Sequence, residues 1–325
     1  MCTRCDAQSA DKQGCDTTGA TDYFPVKVSP QHSHYWDVEY RKWYKVATYT
    51  LDGKTHRYVL TRKGCPTPDV TADAFITLPV SSAGFSSSTY HTYMEMMGSR
   101  ATLKAMNGEY ATTPCLNQML LDNKTVDYDT NATVLSTLDV YFADRWTSLD
   151  SLGGTMDAKR FVNVGPEAER DLLPQLEWLE FFSLFFDKEA SVQSYVQTTE
   201  AAMLCLTSKL LLNAANETQN GGSKVRVLWA TPDEKGDWRV GTCPNYYCEA
   251  IESAGGEVLN KRASVMALKP ANTSSLFAAG VAGDADVILV GRIYDSVTYA
   301  PLTSAECKPI YDAVPAQVLC SCFHL

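Results

Sequence analysis

Polar and apolar positions alternate along the chain between residues 36 and 62. This period of two is typical of a strand with one buried face. The runs at 45–51 and 55–60 flank Asp52-Gly53, a dipeptide typical of two-residue hairpin turns. The pattern therefore predicts an antiparallel element near the start of the chain.

A different pattern begins at residue 75, where short apolar runs alternate with stretches of helical spacing. Tyr90, Tyr93, Met94 and Met97 have the spacing of one helix face, and Gly98 closes that pattern. The apolar runs predicted as strands are 75–80, 101–106, 138–143 and 159–164. Strands separated by helices on this scale predict an α/β layer with a mostly parallel sheet.

Apolar residues recur at helical spacing from about 166 to 212, which is longer than an ordinary globular helix. Either two helices follow one another, with Asp187 as the N-cap of the second, or one long helix bridges two lobes. We interpret the Phe-rich part of this stretch as core. A second α/β pattern follows, with strands predicted at 224–230, 238–240, 257–259 and 286–291 and a helix at 244–253.

These elements predict an α/β fold of two Rossmann-like lobes joined by a long helix, with the antiparallel hairpin at the N-terminal end. The predicted divisions are a polar, poorly ordered segment at 1–24, an N-terminal lobe at 25–165, a linking helical segment at 166–212 and a C-terminal lobe at 213–325.

Charge and motifs exclude several functions. The 325 residues include 28 Lys and Arg against 38 Asp and Glu, a net charge of −10. A chain this acidic is not expected to bind nucleic acid or an anionic membrane surface. A transmembrane helix needs a run of roughly 18 uncharged apolar residues, and the sequence has none. The Gly-x-Ser-x-Gly, P-loop and Gly-x-Gly-x-x-Gly motifs are also missing. Since His91 and Asp144 alone do not make a mechanism, we expect no enzyme activity, no catalytic residue, no cofactor and no bound metal.

The cysteines and sequons indicate an oxidising compartment. Eleven cysteines are many for a cytosolic protein, and we expect disulfides. The alternative is a zinc site built on Cys2 and Cys5 with His32 and His34. Four Asn-x-Ser/Thr sequons predict a secreted glycoprotein: Asn123, Asn131, Asn216 and Asn272. Residues 1–21 lack the apolar core of a signal peptide, so we expect that a signal was removed.

Several segments, in the order in which they occur, resemble the class III periplasmic or solute-binding proteins, which bind ferric siderophores, cobalamin or haem. The resemblance covers about 24–312. It is most specific at 177–190, where the order of acidic and aromatic residues resembles the linker region of that family. Other matching segments are 24–28, 38–46, 58–64, 78–90 and 284–289. The cysteines and sequons make the chain similar to algal cell-surface relatives, among them cobalamin acquisition proteins. Family C-terminal lobes continue past the strand at 286–290, so we expect this lobe to be incomplete.

In open α/β sheets, ligands bind beyond the carboxyl ends of the strands. The residues that follow the predicted strands are therefore the candidates for ligand contact, and they are rich in aromatic and arginine side chains. They are Thr89, Tyr90, Arg145, Trp146, Trp238, Arg239, Tyr246, Arg292 and Tyr294. Such side chains suit large, flat, partly anionic ligands. Simpler interpretations remain open: either tryptophan covers a core edge, Arg292 is an ordinary surface charge, and Tyr246 packs against a disulfide between Cys243 and Cys248.

The resemblance implies an extracellular or periplasmic solute-binding protein that captures a ferric siderophore, cobalamin or haem in an inter-lobe cleft for uptake. It also implies a membrane permease or receptor as a partner, and we expect a monomer. The alternative is a non-catalytic surface protein, with an interaction or structural role, that keeps the fold without a ligand. A third hypothesis, an oxidoreductase using Cys243 and Cys248, conflicts with their spacing, which is not that of a redox Cys-x-x-Cys pair.

Overall fold

The structure is a computed structural model that describes residues 14–108, 111, 113–127, 132–232, 238–240, 243–259, 266–268 and 285–290. The chain divides into two compact units. Unit 1 comprises Met1–Pro166 and Glu177–Val196, and unit 2 comprises Glu167–Leu176 and Gln197–Leu325.

The first sheet of unit 1 contains the predicted hairpin. Strands β1 (Trp36–Tyr40), β2 (Tyr44–Leu51) and β3 (Lys54–Arg62) pair antiparallel in sequence order. Asp52 and Gly53 have φ angles of 51° and 76°, the left-handed values that a tight hairpin turn requires. The antiparallel element expected from the sequence is therefore confirmed.

Strand β4 (Ala74–Leu78) also belongs to this first sheet, where it runs parallel to β3 and pairs Tyr58 with Ala74. The pattern of apolar runs suggested that the strand predicted at 75–80 is the first strand of the parallel sheet. It belongs to the first sheet instead. An apolar run shows that a strand is buried, but it does not show which neighbour pairs with it.

A parallel sheet forms the second layer of unit 1, with the strand order β7-β6-β5-β8-β9. All four residues of β8 are buried, as expected for a parallel strand covered on both faces. The bounds are β5 Ala83–Phe85, β6 Leu103–Met106, β7 Val126–Asp127, β8 Val140–Ala143 and β9 Phe161–Asn163. The helices between these strands are α1 His91–Met96, α2 Pro114–Leu121 and α3 Ala132–Thr137.

The Phe-rich segment is core, as the sequence predicted. Helix α4 spans Leu172–Phe186, and its residues from 177 onward are buried. Trp178 packs edge-on against Tyr49 of the first sheet, with ring centroids 5.6 Å apart. Phe182 packs against Phe142 of the parallel sheet at 5.2 Å. This helix therefore holds the two layers of unit 1 together.

The long helical stretch is two helices, not one. Helix α5 spans Glu189–Gln219, and the chain breaks between α4 and α5 at Asp187, whose φ is 51°. The ammonium of Lys45, which is fully buried, lies at this break. It donates to the Leu184 carbonyl at 3.0 Å and to Asp187 at 2.9 Å, and it also pairs with the Glu189 carboxylate. The charged cluster thus fixes the break between the two helices.

Unit 2 is built around strand β10, Arg226–Pro232. Strands β12 (Glu257–Val258) and β14 (Val287–Val290) pair with it in parallel, and β11 (Trp238–Val240) pairs with it antiparallel. Strand β13 (Met266–Leu268) extends the sheet beyond β11. Helix α6, Tyr246–Ser253, lies between β11 and β12 along the chain. Together with unit 1, this confirms a mixed α/β fold.

Two disulfides join described residues, Cys15–Cys65 and Cys243–Cys248. The first holds the polar N-terminal segment, for which low order was expected, to the loop after β3. Residues 14–24 have further contacts there, including the guanidinium of Arg62 over the Tyr23 ring at 4.0 Å. Residues 1–13 lie outside the described part of the chain.

Candidate functional site

The carboxyl edge of the parallel sheet in unit 1 carries a set of connected loops. Strand β5 leads into Ser86, whose main-chain nitrogen donates to the Phe142 carbonyl at 3.0 Å. The Ser86 hydroxyl oxygen accepts a hydrogen bond from the Asp144 amide at 2.8 Å, and its carbonyl accepts one from the Asn107 side chain at 3.4 Å. One buried serine therefore connects the loops that follow β5, β6 and β8.

Asp144 shapes the loop that follows β8. Its carboxylate accepts hydrogen bonds from the main-chain nitrogens of Trp146 at 2.9 Å and Thr147 at 2.8 Å. This is the side-chain turn typical of aspartate in tight loops. The turn fixes the backbone of the loop at 144–147, so the main-chain positions of Arg145 and Trp146 at the sheet edge are defined.

Arg145 and Trp146 form an exposed pair at this edge. The guanidinium carbon lies 5.1 Å from the centre of the indole ring, within the range of a cation–π contact. The Trp146 side chain is 72% exposed, so it does not cover a core edge in this unit. The pair, called the Arg145–Trp146 pair below, offers an apolar face and a cation next to each other.

The other predicted residues of unit 1 differ from each other in burial. Thr89 is exposed, and its amide donates to the Ser87 hydroxyl at 3.3 Å. Tyr90 has no exposed surface, and its ring lies 5.7 Å from Phe182 in the core. Tyr90 is therefore part of the packing beneath the edge and is not a surface contact residue.

His91 is buried with Tyr90 and is 2% exposed. Among the described residues, neither ring nitrogen has a hydrogen-bond partner. Burial lowers the pKa of this imidazole to about 4. The ring is therefore neutral near pH 7 and packs against Phe85 as an apolar group.

In unit 2, the predicted residues fall into three groups. Trp238 and Arg239 lie within the antiparallel strand β11, opposite Pro232 and Thr231 of β10, and not beyond the end of a parallel strand. Arg292 and Tyr294 lie outside the described residues. Tyr246 is the first residue of α6 and is half-buried.

Tyr246 belongs to an aromatic cluster that the sequence had only partly indicated. Its ring centre lies 4.0 Å from that of Tyr247, and their hydroxyls are hydrogen-bonded. Burial first, and the bond to Tyr247 second, raise the pKa of Tyr246 well above its usual range. Tyr247 in turn stacks on Trp229 of β10 at 4.0 Å. The pattern of the strand at 224–230 gave no signal for Trp229, because an aromatic residue there is also typical of core.

The start of α6 is held in place by local bonds. The Asn245 side chain accepts a hydrogen bond from the Cys248 amide at 3.0 Å, and Cys248 is bonded to Cys243. The possibility raised from the sequence, that Tyr246 lies beside a disulfide joining these cysteines, therefore fits the structure. The disulfide and the Asn245 cap together hold the backbone that carries Tyr246 and Tyr247.

The described residues contain no cluster of three or more metal-ligating side chains. Cys2 and Cys5 of the alternative zinc site lie outside that part of the chain. No helix in the described ranges is long and apolar enough to span a membrane.

Comparison with known proteins gives matches only among solved structures. No family model and no curated protein matches the chain. A periplasmic haem-binding protein from Pseudomonas aeruginosa matches with a TM-score of 0.47 and 16% identity, over 72% of this chain and 77% of that one. A periplasmic binding protein from Veillonella parvula has a TM-score of 0.48 and 15% identity, over 77% of this chain and 78% of its own. Both of these are periplasmic binding proteins.

A third similar structure is a Staphylococcus aureus protein with bound ferrioxamine B. Its TM-score is 0.43 and its identity 13%, over 64% of this chain and 77% of that protein.

Proposed function

We propose that this chain is an extracellular or periplasmic solute-binding protein that captures a ferric siderophore, haem or a cobalamin-type ligand for uptake. The observation that carries the proposal is the Arg145–Trp146 pair at the carboxyl edge of the parallel sheet. An indole that is 72% exposed beside a cation is a surface that a bulky, partly anionic ligand would cover.

The energetics of such contacts favour this use of the pair. Covering an aromatic side chain removes apolar surface from water at about 25 cal/mol per Å². Arginine binds carboxylate or phosphate through two parallel N–H bonds, and haem propionates or the phosphate of a corrinoid supply such groups. Because the turn at Asp144 already fixes the backbone, ligand binding orders few additional groups.

The disulfides support an oxidising compartment, where such proteins act. Two of the sequon asparagines, Asn123 and Asn216, are exposed and so accessible to glycans. Within this proposal the protein acts as a monomer, has no enzyme activity and delivers its ligand to a membrane permease or receptor.

The test is isothermal titration calorimetry of the full chain with ferrichrome, haem and cyanocobalamin, one at a time. We expect one of the three to bind at one site per chain. Trp146→Ala should weaken that affinity by about tenfold or more, since stacking on an aromatic ring contributes roughly 1–3 kcal/mol. Arg145→Gln should weaken it as well, because the cation is lost.

The matched control is Leu121→Ala, which removes a similarly exposed apolar side chain from the same unit, 76% against 72%. We expect this variant to bind like the wild-type chain. If none of the three ligands binds, the result favours the surface protein without a ligand. Unchanged affinity in Trp146→Ala would remove the Arg145–Trp146 pair from the site.

A further inference from the structure

His91 lies at the base of the loop that follows β5, at the carboxyl edge of the parallel sheet in unit 1. It is the first residue of α1, and its side chain is 2% exposed. Its ring packs at right angles to that of Phe85, the last residue of β5, with the ring centroids 6.4 Å apart. Phe85 and His91 stand on either side of residues 86–90, so their contact closes this loop at its base.

The same loop belongs to the candidate site. Ser86, its first residue, bonds to the Phe142 carbonyl through its main-chain nitrogen and to the Asp144 amide through its hydroxyl. Movement of the loop would break these bonds. The packing of His91 is therefore connected, through Ser86, to the loop that carries the Arg145–Trp146 pair.

The neutral ring of His91 is held without polar partners. Among the described residues, neither ring nitrogen has a hydrogen-bond partner. A protonated imidazole carries a charge and two N–H donors, and burying these groups without an acceptor is costly. Protonation therefore favours a conformation in which the ring reaches water.

No charged group described here offsets this cost. Burial is the sole cause of the lowered pKa of His91. Strand β5 has no titratable residue, and on α1 the Glu95 carboxylate pairs with Arg100 at 3.0 Å. The Asp144 carboxylate accepts from main-chain nitrogens of its own loop, and Glu177 of α4 accepts from main-chain nitrogens of the segment before β1.

We propose that His91 is a pH-sensitive switch: the neutral ring holds the loop at 86–90 closed, and protonation in mild acid opens this loop and speeds release of the solute. The release step rests on the proposed function of the carboxyl edge, whereas the opening of the loop requires no ligand. Because His91 lies next to the loop in the chain, moving the loop exposes the ring without unfolding the rest of unit 1.

Amide hydrogen exchange of the full chain without ligand tests the switch at about pH 7 and about pH 5. Rates are first corrected for the intrinsic pH dependence of amide exchange. We expect the protection of residues 86–90 to fall about tenfold or more further in wild type than in His91→Leu, because the open loop takes up a proton at the ordinary histidine pKa. It should also stay below the protection of the β2–β3 hairpin, in which exchange requires global unfolding.

His91→Leu keeps an apolar contact with Phe85 and cannot titrate. His91→Gln is a second variant that stays neutral, for use if the leucine variant does not fold. The switch is wrong if the loop responds to acid equally in wild type and in a folded variant. It is also wrong if the loop and the hairpin are equally protected, because His91 would then become exposed only on global unfolding.

The release step is measured by stopped-flow displacement of the ligand that the chain binds in calorimetry. Between the two pH values, the dissociation rate should rise about tenfold or more further in wild type than in His91→Leu. An equal rise in both proteins would mean that the loop does not control release. If no ligand binds, the proposed function fails, while exchange in the chain without ligand still decides whether the switch exists.

Discussion

His91 shows what burial does to one titratable residue. Its folded-state pKa of about 4 lies below its ordinary value of 6.5, because the core disfavours the charged imidazole. The unfolded chain therefore binds a proton at a higher pH than the folded chain does. His91 therefore does not lower the free energy of unfolding above about pH 6.5, but it lowers that free energy increasingly as the pH falls from 6.5 towards 4.

We expect the free energy of unfolding of the wild-type chain to fall between about pH 7 and about pH 4.5 by about 2 kcal/mol more than that of His91→Leu. Urea denaturation at the two pH values measures this difference. An equal fall in both proteins would mean that His91 is not the buried neutral group described above. Substitution of the exposed His34 by Leu is the control for the loss of a histidine from the chain.

For the predicted ligand residues of unit 1, the sequence indicated a position at the sheet edge better than it indicated exposure to solvent. Arg145 and Trp146 follow β8, the strand predicted at 138–143. Thr89 and Tyr90 follow β5, a strand that the sequence did not predict, and the aromatic face of α4 covers Tyr90. Because that helix is some ninety residues further along the chain, no local pattern separates a covered tyrosine from an exposed tryptophan. The role of Ser86 depends on contacts between loops and left no local signal, whereas the turn that Asp144 makes lies within a single loop.

At the scale of the elements, the break between α4 and α5 depends on the buried ammonium of Lys45. Burial raises the pKa of Glu189, whereas Lys45 holds it down. Lys45→Met removes the cation and leaves a buried carboxylate without its partner. We expect this variant to lose about 3–5 kcal/mol of unfolding free energy in urea denaturation.

The double variant Lys45→Met with Glu189→Gln should recover part of that loss, because no isolated charge then remains in the core. The deficit of the single variant should also shrink in acid, since the unpaired Glu189 carboxyl takes up a proton more readily when folded than when unfolded. If Lys45→Met were as stable as wild type, the cluster would not hold the break.

Local sequence patterns were sufficient to predict most helices and strands, but not which of them pair or contact one another. The hairpin at Asp52-Gly53, the apolar strand β8 and the Phe-rich helix α4 follow directly from period and turn chemistry. The placement of β4 beside β3 does not, since parallel pairing is decided by long-range contacts. The choice between one long helix and two was open for the same reason, because the partner of Asp187 is Lys45.

The number of reactive thiols in the chain tests whether the protein matures in an oxidising compartment. Four of the eleven cysteines form the two described disulfides, and Cys115 and Cys205 are free and exposed. Thiol titration of the unfolded chain without reductant should therefore find at most seven reactive groups. Native titration should label Cys115 and Cys205 rapidly, and their Ser variants serve as controls. Eleven reactive thiols would contradict the disulfides.

We propose that the carboxyl edge of the parallel sheet in unit 1 binds a solute. Amide hydrogen exchange with ferrichrome, haem and cyanocobalamin measures this most directly, because it reports each segment separately. We predict that one of the three slows exchange at residues 86–89 and 144–147 and leaves the β2–β3 hairpin unchanged. Unaltered exchange in both loops with all three ligands would mean that this edge binds none of them.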